Sequence, residues 1–201
     1  YLGELLDRSP TAEYVADRRI VSDGSVATTT GITASMPMML TLIEAIGGRA
    51  KAEEVARELG VPAWDARHAS DAFKLTRQFA ITVLANRMAF WNREELGVRL
   101  EPGIDEVSLA FVADAWSRTY RSRALTFAPS TSVVMTANGV RVLPDQPRED
   151  WPENGRVSTF ADLPPASALD QTLQAIAERY GKATTNVVVM QLEYPRPDTI
   201  R

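Results

Sequence analysis

Arg19-Ile20-Val21-Ser22-Asp23-Gly24-Ser25-Val26-Ala27-Thr28-Thr29-Thr30-Gly31-Ile32-Thr33-Ala34 is the stretch on which the reading of this chain turns. Two runs rich in Val, Ile and Thr suit a pleated, half-buried surface, and the Asp-Gly dipeptide between them predicts a tight hairpin turn. Gly31 then breaks the second run and opens a helix. Ser35 stands where an N-cap belongs, and Pro37 falls in the first turn, where its missing N–H costs nothing. The helix carries Met39, Leu40, Leu42, Ile43 and Ile46 until Gly47-Gly48 stops it. A second helix is expected from Ala50 to Leu59, ended by Gly60 and Pro62.

On the N-terminal side, Leu2, Leu5 and Leu6 share one face of a short amphipathic stretch that Ser9-Pro10-Thr11 interrupts. On the C-terminal side, residues 70–92 predict a long helix capped by Ser70. Its Phe73, Leu75, Phe79, Ile81, Leu84 and Met88 are expected to be mostly buried. Asn92 to Gly97 reads as the exit of that helix and Val98 to Leu100 as a short strand. Pro102-Gly103 reads as a turn, and Asp105 to Arg118 as an amphipathic helix with Val107, Leu109, Val112 and Trp116 inward. Strands are expected at 124–127, 132–136 and 140–143, the last two joined through Asn138-Gly139. Residues 144–166 hold five of the twelve prolines and read as a connector without core. Helices at about 167–180 and 184–194, the second halted by Pro195, close the chain. Strands alternating with helices at these lengths predict an α/β fold: a layered sandwich with a mostly parallel sheet flanked by helices.

The junction at Thr30, Gly31, Ile32 and Thr33 is the first candidate site. A strand that turns at glycine into a helix presents unpaired backbone N–H groups and the positive end of the helix dipole. Such a corner can hold an anion, and Thr28, Thr29, Ser35 and their neighbours add hydroxyls. It can equally serve only to reverse the chain. His68 is the single histidine, a residue type that can serve as a general base, but no nucleophile can be tied to it, and an exposed or capping position is the simpler account. Glu53/Glu54 and Asp105/Glu106 are adjacent in sequence, so on a helix they diverge. They read as first-turn acids favoured by the dipole. Arg118, Arg121 and Arg123 around Tyr120 read as cations at a helix end.

Helix, Gly181, and a helix beginning Thr184-Thr185-Asn186 have the spacing of a helix-turn-helix. The would-be recognition helix, however, runs Val187-Val188-Val189 and carries Glu193, with Lys182 alone as a cation at its mouth. Three consecutive valines belong inside a protein, so nucleic-acid binding at 167–194 is the weakest of the readings.

Composition narrows the classes. Of 201 residues, 45% are apolar and 24% charged, which is globular and not disordered. A net charge of −4 argues against phosphate-backbone partners. With no cysteine and one histidine, the residues offer no disulfide, no thiolate nucleophile and no two-histidine metal site. No apolar run reaches the length of a membrane span, and the opening Tyr1-Leu2-Gly3-Glu4 is no signal peptide. No membrane, no cofactor and a cytoplasmic location are expected. The first residue is Tyr1 rather than Met, which suggests a processed chain or a fragment.

The run from Arg19 to Ala34, followed by the apolar helix to Ile46 and the helix from Lys51 to Leu59, resembles the C-terminal half of a ThiJ/PfpI domain. That family belongs to the class I glutamine-amidotransferase-like superfamily and also supplies the N-terminal domains of GlxA-type regulators. The likeness covers about residues 1–85. A second stretch is similar to the opening of the same domain: Pro102 to Val107, the helix to Trp116, Ala124 to Ala128, and Val133 through Thr136-Ala137-Asn138-Gly139 to Asp145. Leu192-Glu193-Tyr194-Pro195 is similar to the terminal helix of some members. The resemblance thus divides the chain into 1–92, the back of one such unit, and 93–201, a degenerate second unit. It implies the flavodoxin-like form of the fold, incomplete or divergent.

Family chemistry, where it exists, rests on a cysteine at a strand-to-helix elbow, an acid from the first helix and often a histidine. By the resemblance, the elbow and histidine would fall before Tyr1, and Ser108 takes the place of the acid. Only the corner at Thr30, Gly31 and Ile32 carries over, beside the nucleophile pocket of relatives, and Thr33 follows it in the candidate ligand site. The reading that follows is a non-catalytic module, small-molecule-binding or regulatory, acting as a homodimer. The alternative is part of a cysteine-dependent hydrolase, lyase or hydratase whose nucleophile lies upstream.

Overall fold

The hairpin forms around the expected turn. Strands β1 (Ile20–Asp23) and β2 (Val26–Thr29) pair antiparallel, with Asp23 opposite Val26. Gly24 takes φ 57° in the two-residue loop between them, a left-handed value that glycine adopts without cost. The computed structural model describes residues 2–61 and 63–194. Pro62 and Pro195, expected to stop two helices, lie outside them. Helix α1 (Leu2–Arg8) precedes the hairpin; α2 (Ser35–Gly47) and α3 (Arg49–Leu59) follow it. One correction falls at the start of α2. Ala34 is its N-cap residue, and the Ser35 hydroxyl donates to the Ile32 carbonyl at 2.7 Å instead of accepting from the helix.

The expected helix over 70–92 breaks into a 3₁₀ turn (Ser70–Phe73), helix α4 (Arg77–Met88) and another 3₁₀ turn (Phe90–Asn92). Lys74 is extended, and the Thr76 hydroxyl caps α4 by accepting from the Phe79 N–H at 3.1 Å. The stripe expected to be core is not: Leu75, Ile81, Leu84 and Met88 are all 60% or more exposed.

A four-stranded parallel sheet lies in the second half, in the order β7-β4-β3-β8. Strand β3 (Glu94–Arg99) starts four residues before the expected strand. It is joined to β4 (Ser122–Ala128) through α5 (Glu106–Ser117), the crossover that a parallel pair requires. Glu94 and Glu95 look wrong for a strand, but Leu96 and Val98 are fully buried. The Glu94 carboxylate leaves the sheet to accept from Arg179 Nε at 2.8 Å and the Tyr180 hydroxyl at 2.9 Å. The hairpin through Asn138-Gly139 keeps only short strands, β5 (Val134–Met135) and β6 (Arg141–Val142).

The proline-rich connector corrects a second expectation. It supplies both edges of the sheet, β7 (Gln146–Pro147) and β8 (Arg156–Val157), and between them Trp151, 4% exposed. The Trp151 indole lies on Gly97 of β3 and against Phe127, ring centroids 5.5 Å apart. This second core cluster covers the sheet face opposite the main core. The main core gathers Leu96 and Val98, Leu109, Val112 and Trp116 of α5, and the inner face of α6 (Pro165–Leu192).

Helix α6 is two helices meeting at Gly181 (φ 83°, ψ 162°). The same break, φ 84° and ψ 165°, occurs at Gly48 between α2 and α3. Twelve residues after each break, the second helix ends in a left-handed residue, Gly60 in one case and Glu193 in the other. Both ends close with the same pair of hydrogen bonds: Gly60 N–H to Arg57 O with Val61 N–H to Ala56 O, and Glu193 N–H to Met190 O with Tyr194 N–H to Val189 O. Seventeen residues before each break stand Gly31 and Pro164, and these corners touch across the molecule. A Cβ on Gly31 would strike the Glu193 side chain, and a Cβ on Gly60 would lie 2.7 Å from Pro164 Cβ. Contacts 31–193 and 60–164 exchange when the halves are swapped, the reciprocity of a two-fold joint built within one chain.

Candidate functional site

The predicted corner is held by that joint. Gly31, at φ 70° and ψ 156°, leads into a single 3₁₀ turn, Ile32–Ala34, ahead of α2. Thr30 Oγ1 donates to Glu193 Oε2 at 2.8 Å. The buried Thr33 hydroxyl reaches the Leu192 and Glu193 carbonyls at 3.0 and 3.1 Å. The Thr33 hydroxyl thus serves the C-terminal end of α6, whose last carbonyls have no partner within the helix, and Thr30 holds the Glu193 carboxylate beside it. Three of the four candidate residues, Thr30, Gly31 and Thr33, therefore meet Glu193 or its neighbour.

His68 joins them, which the sequence did not foretell. Residues 17–19 and 66–70 run side by side through Arg19 N–H to Ala66 O, His68 N–H to Asp17 O and Ser70 N–H to Asp17 Oδ1. This brings the imidazole, only 5% exposed, to 3.2 Å from Glu193 Oε2 and stacks it on Phe73 with ring centroids 5.1 Å apart. The exposed or capping histidine expected from the sequence is corrected: His68, Thr30 and Glu193 form one cluster. Tyr194, beside it, donates to Asp170 Oδ1 at 2.8 Å, and burial, with that carboxylate, pushes its hydroxyl above the usual phenol range.

Ile32, the fourth candidate residue, faces another way. It borders an apolar groove of about 480 Å³ between α2 and α5, with Met36, Met39 and Ile43 on one wall and Val107, Ala110 and Phe111 on the other. Glu106 and Asp114 are the acids at its rim. The groove runs along α5 from Glu106 in its first turn to Asp114 near its last, with Leu59 of α3 at its side.

The first turn of α5 is well fixed. Glu106 is a first-turn acid as expected, whereas Asp105 stands one residue outside the helix as its N-cap, accepting from the Ser108 N–H at 2.6 Å. Glu53 and Glu54 differ: they lie inside α3 and pair with Arg49 and Lys51. At Glu106, burial pushes the carboxyl up, but its own backbone N–H, Thr136 and Asn138 outweigh burial and hold it below the usual glutamate value of 4.5. A depressed folded value adds stability that is present above the unfolded pKa and is lost as pH falls through the folded one. Glu106→Gln is therefore expected to flatten the decline of stability below about pH 4.5. Urea denaturation at stepped acidic pH measures it; an unchanged acid limb would refute the assignment.

The Gly181 segment cannot present a recognition helix in this fold. Thr184, Thr185, Val187, Val188, Val189 and Leu192 are buried. Arg118 pairs with Asp114 at 2.7 Å, and the Arg121 guanidinium lies over the Tyr180 ring at 5.3 Å. Among the described residues, no cluster of three metal-ligating side chains occurs, and no helix is long and apolar enough to cross a membrane.

No protein-family model, curated protein or solved structure matches the chain.

Proposed function

We propose that this chain is a non-catalytic module of ThiJ/PfpI type that binds a small molecule, in a binding or regulatory role, and that the ligand lies in the groove between α2 and α5. The observation that carries the reading is the groove itself: a mostly apolar slot between helices, with few polar groups in its lining and walled by Ile32 from the predicted corner. The lining suits a mostly apolar ligand with a donor or cationic end directed at Glu106 or Asp114. The corner hydroxyls, spent on Glu193, leave little for a reacting group, and the chain holds no cysteine to react. The resemblance adds a homodimer, and the cytoplasm is the expected location.

Titration with the neutral dye Nile red tests the groove. Emission is expected to rise on binding, and Ala110→Trp, which fills the slot from α5, to weaken binding at least tenfold. Asp23→Asn, in the β1–β2 hairpin and outside the groove lining, should leave the dye affinity unchanged. Equal affinity for wild type and Ala110→Trp would sink the reading.

A further inference from the structure

We infer that α4 is the surface through which two copies of this chain associate, by antiparallel packing centred on Leu84. Four side chains recur down one side of the helix and the turn after it: Ile81, Leu84, Met88 and Trp91, exposed by 64, 62, 60 and 69%. Their spacing places them in one stripe. Phe90, 71% exposed, sets its ring against the Trp91 indole edge-on at 5.1 Å, and Leu75, 66% exposed, extends the patch at the other end. Monomeric proteins rarely leave so large a contiguous apolar area in water. These six side chains present roughly 800 Å², the area each partner covers in a standard stable interface.

The chemistry of the stripe favours a second copy over an unrelated partner. Residues 77–92 contain no acid, and their two cations are Arg77 and Arg87. Arg87 is engaged over the Tyr120 ring at 5.6 Å, whereas Arg77 makes no ion pair among the described residues. Arg77 and Trp91 stand equally far from Leu84 along the chain, on opposite sides. When two α4 helices pack antiparallel about Leu84, Leu84 meets the partner's Leu84 and Ile81 meets the partner's Met88. Arg77 then lies over the partner's Trp91, twice, by symmetry. Indole is the best aromatic surface for a guanidinium, so the one cation and the one tryptophan of the stripe complete each other only between two copies. The far side of α4 already has its occupant: Asn86, 6% exposed, donates to the Thr119 carbonyl and to Thr184 Oγ1 of α6. The assignment needs no ligand and stands or falls apart from the groove.

Sedimentation equilibrium of the 201-residue protein at tens of micromolar tests it. The expected mass is twice 22.1 kDa. Leu84→Glu should give the 22.1 kDa species alone, with the wild-type circular dichroism spectrum, because the side chain lies in solvent in the single chain. Arg77→Ala and Trp91→Ala should each weaken association about tenfold, and the double variant little more than either, the non-additivity of a direct pair. A monomeric wild type, or a Leu84→Glu variant that remains dimeric, overturns the surface. Additive effects of Arg77→Ala and Trp91→Ala overturn the register.

Discussion

Gly31→Ala is expected to lower the thermal midpoint by roughly 10 °C, corresponding to about 3 kcal/mol or more of lost stability in a chain of this size. Two costs combine. The glycine sits at φ 70° and ψ 156°, a region that residues with a Cβ hardly enter, at about 1–3 kcal/mol. The new methyl would also run into Glu193, at 2.9 Å from both Cγ and Oε2, and overpacking of this kind costs about 1–3 kcal/mol. Two controls separate the terms. Thr30→Val removes only the hydrogen bond to Glu193 and should cost about 1 kcal/mol. Adding Glu193→Gly to Gly31→Ala removes the collision and relaxes the left-handed residue at φ 49°, so the double variant should recover part of the loss. A Gly31→Ala midpoint within one or two degrees of wild type would mean that the corner and the end of α6 are not in contact.

Trp151→Ala is the second large effect, expected at about 3–5 kcal/mol in urea denaturation. The indole is 4% exposed, spans Gly97 and Phe127, and has the Arg148 guanidinium 4.7 Å from its ring centroid on the outside. Its loss opens a cavity beside Leu125 and Phe127 in the second core cluster, and it frees the connector that holds β7 and β8. Gly97→Ala should be severe for the complementary reason, since a Cβ there overlaps the indole. A surface-like cost, under 1 kcal/mol for Trp151→Ala, would show that the connector does not form this part of the core.

What the sequence disclosed, and what it hid, follow from the range of the interactions. The Asp23-Gly24 hairpin, the stop at Gly47-Gly48 and the break at Gly181 are local chemistry, and each stands where the residues place it. Strands β7 and β8 have two residues each and exist because β4 and β3 supply their partners, so nothing within the connector announces them. Trp151 was lost among prolines and charges for the same reason. The stripe on α4 misled differently. Helical periodicity reports that one side of a helix avoids water, not what keeps the water away, and a core and an interface write the same pattern. The candidate site was half legible. Gly31 and its threonines could be found, but Glu193 lies more than 160 residues further along the chain, and the His68–Glu193 contact has no local signature.

The paired corners at Gly48 and Gly181 carry one more consequence. When two identical subunits meet across an axis, every mutation strikes both sides at once, and neither side can change its role without the other. Here the equivalent positions belong to one chain, so each can be substituted alone. Leu169, Thr172 and Ile176 are buried, whereas Met36, Met39 and Ile43, their counterparts by position, line an open slot. The two matching corners thus carry unlike flanks, one closed into the interior and one left bare.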